Sequence, residues 1–103
     1  MEPDIVVVGE ASSGEQALEL VQLLSPDIVL MDVEMPGMDG ITATASLHAN
    51  TSHGAVVMMS IHNDSHTRSR AQAAGAAAFV EKSGTLDVLL TTIRQIVEFT
   101  GKA

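Results

Sequence analysis

Asp32, Ser60 and Lys82 each stand at or just past the end of a short apolar run, and they offer three complementary chemistries: a carboxylate, a hydroxyl and an ammonium. Brought to one edge, they suit phosphoryl transfer. Asp32 would attack phosphorus and form an acyl phosphate, while the Ser60 hydroxyl and Lys82 hold phosphoryl oxygens. A divalent cation would neutralise the developing charge, and Mg²⁺ accepts one or two carboxylates together with phosphate oxygens and water. Singly, the three have ordinary readings as a solvated carboxylate, a strand-end cap and a surface lysine. Their repetition at the ends of successive runs favours a shared edge.

The elements that must position them follow from the pattern. Ile28 to Met31 is too short and too continuously apolar for an amphipathic helix and suits a strand buried on both faces of a parallel sheet. Ile5-Val6-Val7-Val8, Ala55 to Met59 and Ala77 to Val80 read the same way, ending near Gly9-Glu10, Ser60 and Glu81-Lys82. Between them lie helical patterns. Ser13 is a fair N-cap with Gln16 three residues on, and Ala17, Leu18, Val21 and Leu24 recur at helical spacing until Ser25-Pro26. A short helix is expected from about Ile41 to Leu47, then a polar loop from Asn50 to Gly54. Another helix should span Ser65 to Ala74 and stop at Gly75. Ser83-Gly84-Thr85 opens the last, whose apolar face is Leu86, Leu89, Leu90, Ile93, Ile96 and Val97 as far as Gly101. The alternation βαβαβαβα implies an α/β domain with a mostly parallel sheet and helices on both faces. Ligands of open α/β sheets bind at the carboxyl ends of the strands, where Pro36-Gly37 and Asp39-Gly40 read as a tight loop.

Length and charge limit what the chain does. Its 103 residues make one small domain, able to bury roughly 60–70% of its unfolded surface. The net charge of −8, with only 5 Lys and Arg, argues against direct binding to nucleic acid or anionic membrane. Without cysteines there are no disulfides or thiolate metal sites. No apolar run approaches a membrane span, and Met1-Glu2-Pro3-Asp4 lacks a basic signal-peptide start, so a cytoplasmic location is expected.

A strand ending in Asp32, followed by Met35-Pro36-Gly37-Met38-Asp39-Gly40, resembles the phosphoacceptor segment of response regulator receiver domains, with Ser60 and Lys82 at the family's hydroxyl and lysine positions. Phe79, three residues before Lys82, looks like the family's switch residue. The order and spacing match from about Ile5 to Phe99, and Val8-Gly9-Glu10-Ala11 and Leu30-Met31-Asp32 look most like the LuxR-type (NarL/FixJ) receivers. The resemblance implies a flavodoxin-like fold, Asp32 as phosphoacceptor, Ser60 and Phe79 as switch residues, and Mg²⁺ held by Asp32 and the Glu34 backbone carbonyl. It also implies a sensor histidine kinase as donor and a transcription-factor parent. No DNA-binding helix-turn-helix is expected after Lys102.

Departures from the family qualify this. Four residues precede Ile5, too few for the βα unit with which receivers begin and which supplies their metal-binding acidic pair. That pair is absent, and weaker Mg²⁺ binding is expected. In the family's 2-1-3-4-5 strand order the first strand is central, so its place lies between the Ile5 strand and the Ile28 strand. Three outcomes are open: the Ile5 strand closes the gap, a second chain supplies the contacts through self-association or strand exchange, or the fold is poor. Ile61 stands where receivers have a small residue, and its bulk would narrow the pocket. Ser83 replaces a proline that often follows a cis bond.

Other candidates have bland readings. Glu10, at the end of the first strand on the Asp32 edge, would stand in for the acidic pair. Asp39 is a turn residue and Gly40 lets the turn form. Met31, Met35, Met38, Met58 and Met59 suit adaptable packing better than a soft-metal site. Of His48, His53, His62 and His66, only His62 and His66 have ligand-like spacing, and solvated histidines are the better reading. The chain therefore reads as a phosphorylation-driven switch more than an enzyme. The alternative is a degenerate receiver that binds partners or itself without phosphorylation. A hydrolase using Asp32 ranks last, because no second acid/base carboxylate accompanies it.

Overall fold

The computed structural model describes residues 3–35, 37–50, 54–62 and 64–100, the side chains of 50 and 98–100 excepted. Pro36, the polar stretch at 51–53 with His53, Asn63 and the helix end at Gly101 lie outside the described residues. Among the described residues, seven elements follow one another as α1 (Gly14–Leu24), β1 (Ile28–Asp32), α2 (Gly40–Asn50), β2 (Ala55–Ser60), α3 (Ser65–Ala73), β3 (Ala78–Glu81) and α4 (Leu86–Thr100). The three strands are parallel, and their order in the sheet follows their order in the chain. The result is an α/β fold with a parallel sheet, as the alternation of patterns implied, and of the flavodoxin-like kind that the receiver resemblance implied.

Local chemistry sets the boundaries. The Ser13 hydroxyl accepts the Gln16 N–H at 3.2 Å, and the Gln16 side chain accepts the Ser12 N–H at 2.8 Å, satisfying donors at the start of α1. Ser25 ends α1 in the left-handed region at φ 45°, just before Pro26. Asp64 caps α3 by accepting the Thr67 N–H at 3.0 Å, and Gly75, at φ 102°, turns the chain out of that helix.

Register decides which residues share a face. Val29 and Met31 lie beside Val56 and Met58, with Phe79 next to Met58. This face packs on Ala17 and Val21 of α1, Ile41, Ala43 and Leu47 of α2, and Ala71 of α3. The methionines therefore pack: Met58 is fully buried, and its sulfur accepts the Thr44 hydroxyl at 3.0 Å. The opposite face carries Leu30, Val57 and Val80. Its helix is α4, which packs against β3 and buries Ile93. This cover is partial: Leu30, at the β1 end, is 45% exposed, and Leu86 of the expected α4 face is 66% exposed.

The strand expected at Ile5–Val8 does not form. Among the described residues this segment pairs with no strand, and Val6 is 78% exposed. A β-branched run becomes a strand only with a ladder beside it, and the segment's ends are tied to helices instead. Asp4 accepts two bonds from the Arg94 guanidinium of α4, at 2.9 and 3.0 Å. Gly9 lies so close to α1 that a Cβ there would sit 2.7 Å from Leu24 Cδ1. β1 is consequently an edge strand. Asp27 O accepts from Ala55 N and Met59 O accepts from Val33 N, so the intervening amides of Ile28, Leu30 and Asp32 point away from β2.

Gly40 opens α2 against the end of β1, and a Cβ there would overlap the Asp32 carbonyl oxygen. Gly40→Ala therefore forces backbone apart at the strand that carries Asp32. It is expected to cost about 2–3 kcal/mol and to lower the melting midpoint by about 10 °C, read by thermal unfolding followed by circular dichroism.

Candidate functional site

Asp32 is the last residue of β1, Ser60 the last of β2, and Lys82 the first after β3. The ladder extends past the strand ends: Val33 N–H donates to Met59 O and Lys82 N–H donates to Ser60 O, both at 2.9 Å. These two bonds set the three residues level on the carboxyl edge of the sheet. The sequence-derived cluster is thus one place in space.

Lys82 Nζ donates to Asp32 Oδ2 at 2.5 Å, and the Glu34 N–H donates to Asp32 Oδ1 at 2.9 Å. Both carboxylate oxygens are engaged, yet each keeps lone pairs for another partner. About a third of each side chain in the ion pair is exposed, so the pair adds on the order of 1 kcal/mol or less. It fixes geometry more than it stabilises. Among 13 acidic and 5 basic side chains, Lys82 places a positive charge at this edge that can attract an anion.

Ser60 is fully buried and has two partners. Its Oγ accepts the His62 N–H at 2.9 Å and donates to Glu34 Oε2 at 2.8 Å. The Ile61 N–H reaches Glu34 Oε1 at 3.4 Å. The Glu34 side chain is the site residue that sequence reasoning missed, having considered only its backbone carbonyl. The available signal was an acidic residue two positions past a strand-end aspartate, on a loop bound to cross toward the next strand.

The remaining expectations resolve individually. Phe79 is half-buried on β3, with the Arg68 guanidinium of α3 stacked 4.8 Å from its ring centroid. Ile61 is 64% exposed, and Ser83 lies in an exposed turn closed by the Gly84 N–H on Glu81 O. Glu10 sits in the unpaired segment, so the strand end that was to carry it to the Asp32 edge is absent. His62 and His66 are exposed, and no group of three or more His, Cys, Asp or Glu among the described residues is placed to hold a metal ion. Near Asp32 the donors on hand are its own carboxylate and those of Glu34, fewer than a closed Mg²⁺ site uses unless phosphate oxygens and water complete it.

Comparison with known proteins gives this geometry its family. The response regulator receiver domain model matches residues 1–94. The chain belongs to the response regulator receiver domain family. The nitrate/nitrite response regulator protein NarL of Escherichia coli is 39% identical over 95 residues, covering 92% of this chain and 44% of the relative. The transcriptional regulatory protein DegU of Brevibacillus brevis is 33% identical over 98 residues, covering 95% and 42%. The chain thus spans less than half the length of these curated relatives. Among solved structures, the signal receiver domain of a response regulator NarL from Mycobacterium tuberculosis superposes with a TM-score of 0.85 at 33% identity, covering 90% of this chain and 75% of that one. A LuxR-family two-component response regulator from Aurantimonas gives 0.88 at 32%, covering 97% and 70%. The LuxR-type resemblance is borne out.

The loop that carries the receiver site is held by Asp39, whose Oδ1 accepts the Thr42 N–H at 2.8 Å. That bond, helped by the Thr42 side chain and Arg70, holds the Asp39 carboxyl below its ordinary 3.8 against the opposing effect of burial. A depressed carboxylate stabilises the fold above its unfolded value and loses that contribution as pH falls through its folded value. Asp39→Asn should therefore cost about 0.5 kcal/mol at neutral pH, a small value because the cap is solvated. The gap between variant and parent in urea unfolding should narrow as pH falls below 3.8 and close once the depressed folded value is passed.

Proposed function

We propose that this receiver takes part in two-component signalling, with Asp32 accepting a phosphoryl group from the phosphohistidine of a sensor histidine kinase. The observation that carries the reading is the level placement of Asp32, Ser60 and Lys82, with the Lys82 ammonium 2.5 Å from the Asp32 carboxylate. An Asp32 oxygen attacks phosphorus, the phosphorus–nitrogen bond to the imidazole breaks, and an acyl phosphate forms. Lys82 moves from the carboxylate to the new phosphoryl oxygens, which the weak, half-open ion pair permits. The Ser60 hydroxyl binds another oxygen, and Phe79 and Arg68 respond across β3 and α3, changing the face that α3, β3 and α4 present to partners.

Mg²⁺ assists when bound by screening the charge on the incoming phosphoryl group. Asp32 and the Glu34 carbonyl are the groups offered to it, and the short donor set supports weak binding. The module acts as a switch and not as an enzyme with an external product, in the cytoplasm where its kinase donor would lie. Its relatives' names point to transcriptional control as the output, reached here without nucleic-acid contact by this domain, whose charge is −8.

The reading is tested by intact mass after incubation with acetyl phosphate and Mg²⁺. The chain should gain one phosphoryl group and Asp32→Asn none. Lys82→Ala should label at least about tenfold more slowly, the cost of losing one charge-assisted contact to the transferring group. Labelling that persists in Asp32→Asn would sink the assignment.

A second reading, self-association independent of phosphate, is favoured by the outer edge of β1. Ile28-Val29-Leu30-Met31 carries none of the lysines, prolines or bulges that usually blunt an edge, and the Val6–Val8 segment that precedes α1 is exposed. A second copy's segment added to this edge would form a strand-exchanged dimer. Because each copy carries −8, association should strengthen as salt rises from low to physiological concentration. Sedimentation velocity checks this, and a monomer at every salt and protein concentration would reject it.

A further inference from the structure

The buried Ser60 hydroxyl has one proton to give, and it gives it to Glu34. The neighbouring Ile61 N–H points at the other oxygen of the same carboxylate. A carboxylate that collects a hydroxyl proton and the next backbone N–H, beside a lysine already paired with an aspartate, occupies the donors that an incoming oxyanion would use. We propose that Glu34 is an internal oxyanion seated on Ser60 and Ile61, which an external tetrahedral oxyanion at the Asp32 edge must displace.

Three observations support this directly. The Glu34 N–H is fixed on Asp32 Oδ1, so the side chain starts from the carboxylate that would receive phosphorus. Its own carboxylate reaches across to the end of β2, which places both oxygens on the two donors at once. Ser60 is also held from behind by the His62 N–H, so its proton is directed outward and toward Glu34. Negative charge then stands on the Ser60 side and positive charge on the Lys82 side. A phosphate entering beside Lys82 meets repulsion from Glu34 and finds the Ser60 proton already committed. Since Glu34 is solvent-exposed, its release is cheap. It acts as a latch on the rate of phosphorylation and leaves the site open to a sufficiently strong donor.

The consequence for the site is a threshold. A weak phosphodonor competes poorly against an anion tethered in place, whereas a docked kinase that presents phosphorus directly to Asp32 displaces it. The inference deepens the phosphoacceptor reading and rests on it for one readout, while a second readout stands apart from it.

The test compares the full chain with Glu34→Ala, and with Glu19→Gln as a control that removes one exposed charge from α1. In acetyl phosphate and Mg²⁺, Glu34→Ala should label about fivefold faster than the parent, the weight of one solvated charge-assisted hydrogen bond, and Glu19→Gln should match the parent. Separately, inorganic phosphate is titrated while the backbone N–H signals are followed by NMR. The Ile61 signal should shift in Glu34→Ala at phosphate concentrations that leave the parent unmoved, and the dispersed spectrum shows that the variant is folded. If no chain labels but the Ile61 response is confined to Glu34→Ala, the seat stands and the phosphoacceptor reading fails. Equal labelling rates in parent and Glu34→Ala, or Ile61 responses that do not differ between them, overturn the inference.

Discussion

The in-register parallel ladder is the constraint on which everything else depends. Two backbone bonds beyond the strand ends, Val33 to Met59 and Lys82 to Ser60, make the difference between three polar residues scattered along a sequence and one cluster on an edge. A slip of one residue in either pairing would turn Ser60 or Lys82 to the wrong side of the sheet. The side-chain contacts at the site are individually weak, and the aspartate–lysine pair is open to water. Precision comes from the backbone, and the side chains keep freedom to exchange partners.

Packing enforces that register from one face far more than from the other. The face built on Val29, Met31, Val56 and Met58 is sealed by three helices, and the buried Thr44 hydroxyl shares its one proton between the Gly40 carbonyl, at 2.7 Å, and the Met58 sulfur. The other face has α4 over β3 and an exposed Leu30 at the far side. β1 therefore gets its order from a single neighbour and one helical layer, even though it carries Asp32. Gly40, pressed on the Asp32 backbone, compensates by leaving the strand end no room to move toward α2.

Much of this was legible in the residues. Apolar runs of strand length, each closed by a polar residue, located Asp32, Ser60 and Lys82. Ser13 and Gly75 marked helix ends because capping and left-handed turns depend on a residue's own chemistry, whereas Asp39, read as a turn residue, proved to accept the Thr42 N–H at the start of α2. The Ile5–Val8 run misled because β-branched composition describes a side chain's fit to a sheet and says nothing about whether a partner strand is present. Glu34 escaped notice for a related reason: its significance lies in a contact across 26 positions of sequence, to a hydroxyl with no local signature. Local signals revealed elements and edges, while competition for a single proton became visible only when the two loops were seen side by side.

The sequential order of the strands in the sheet also bears on how the molecule is made. During synthesis, β2 finds β1 already exposed, and β3 finds the edge that β2 has just provided, so no strand must be inserted between two that have already joined. On the ribosome the carboxyl edge would assemble in the order Asp32, Ser60, Lys82. The carboxylate thus emerges first and unaccompanied, and the cation that balances it arrives last.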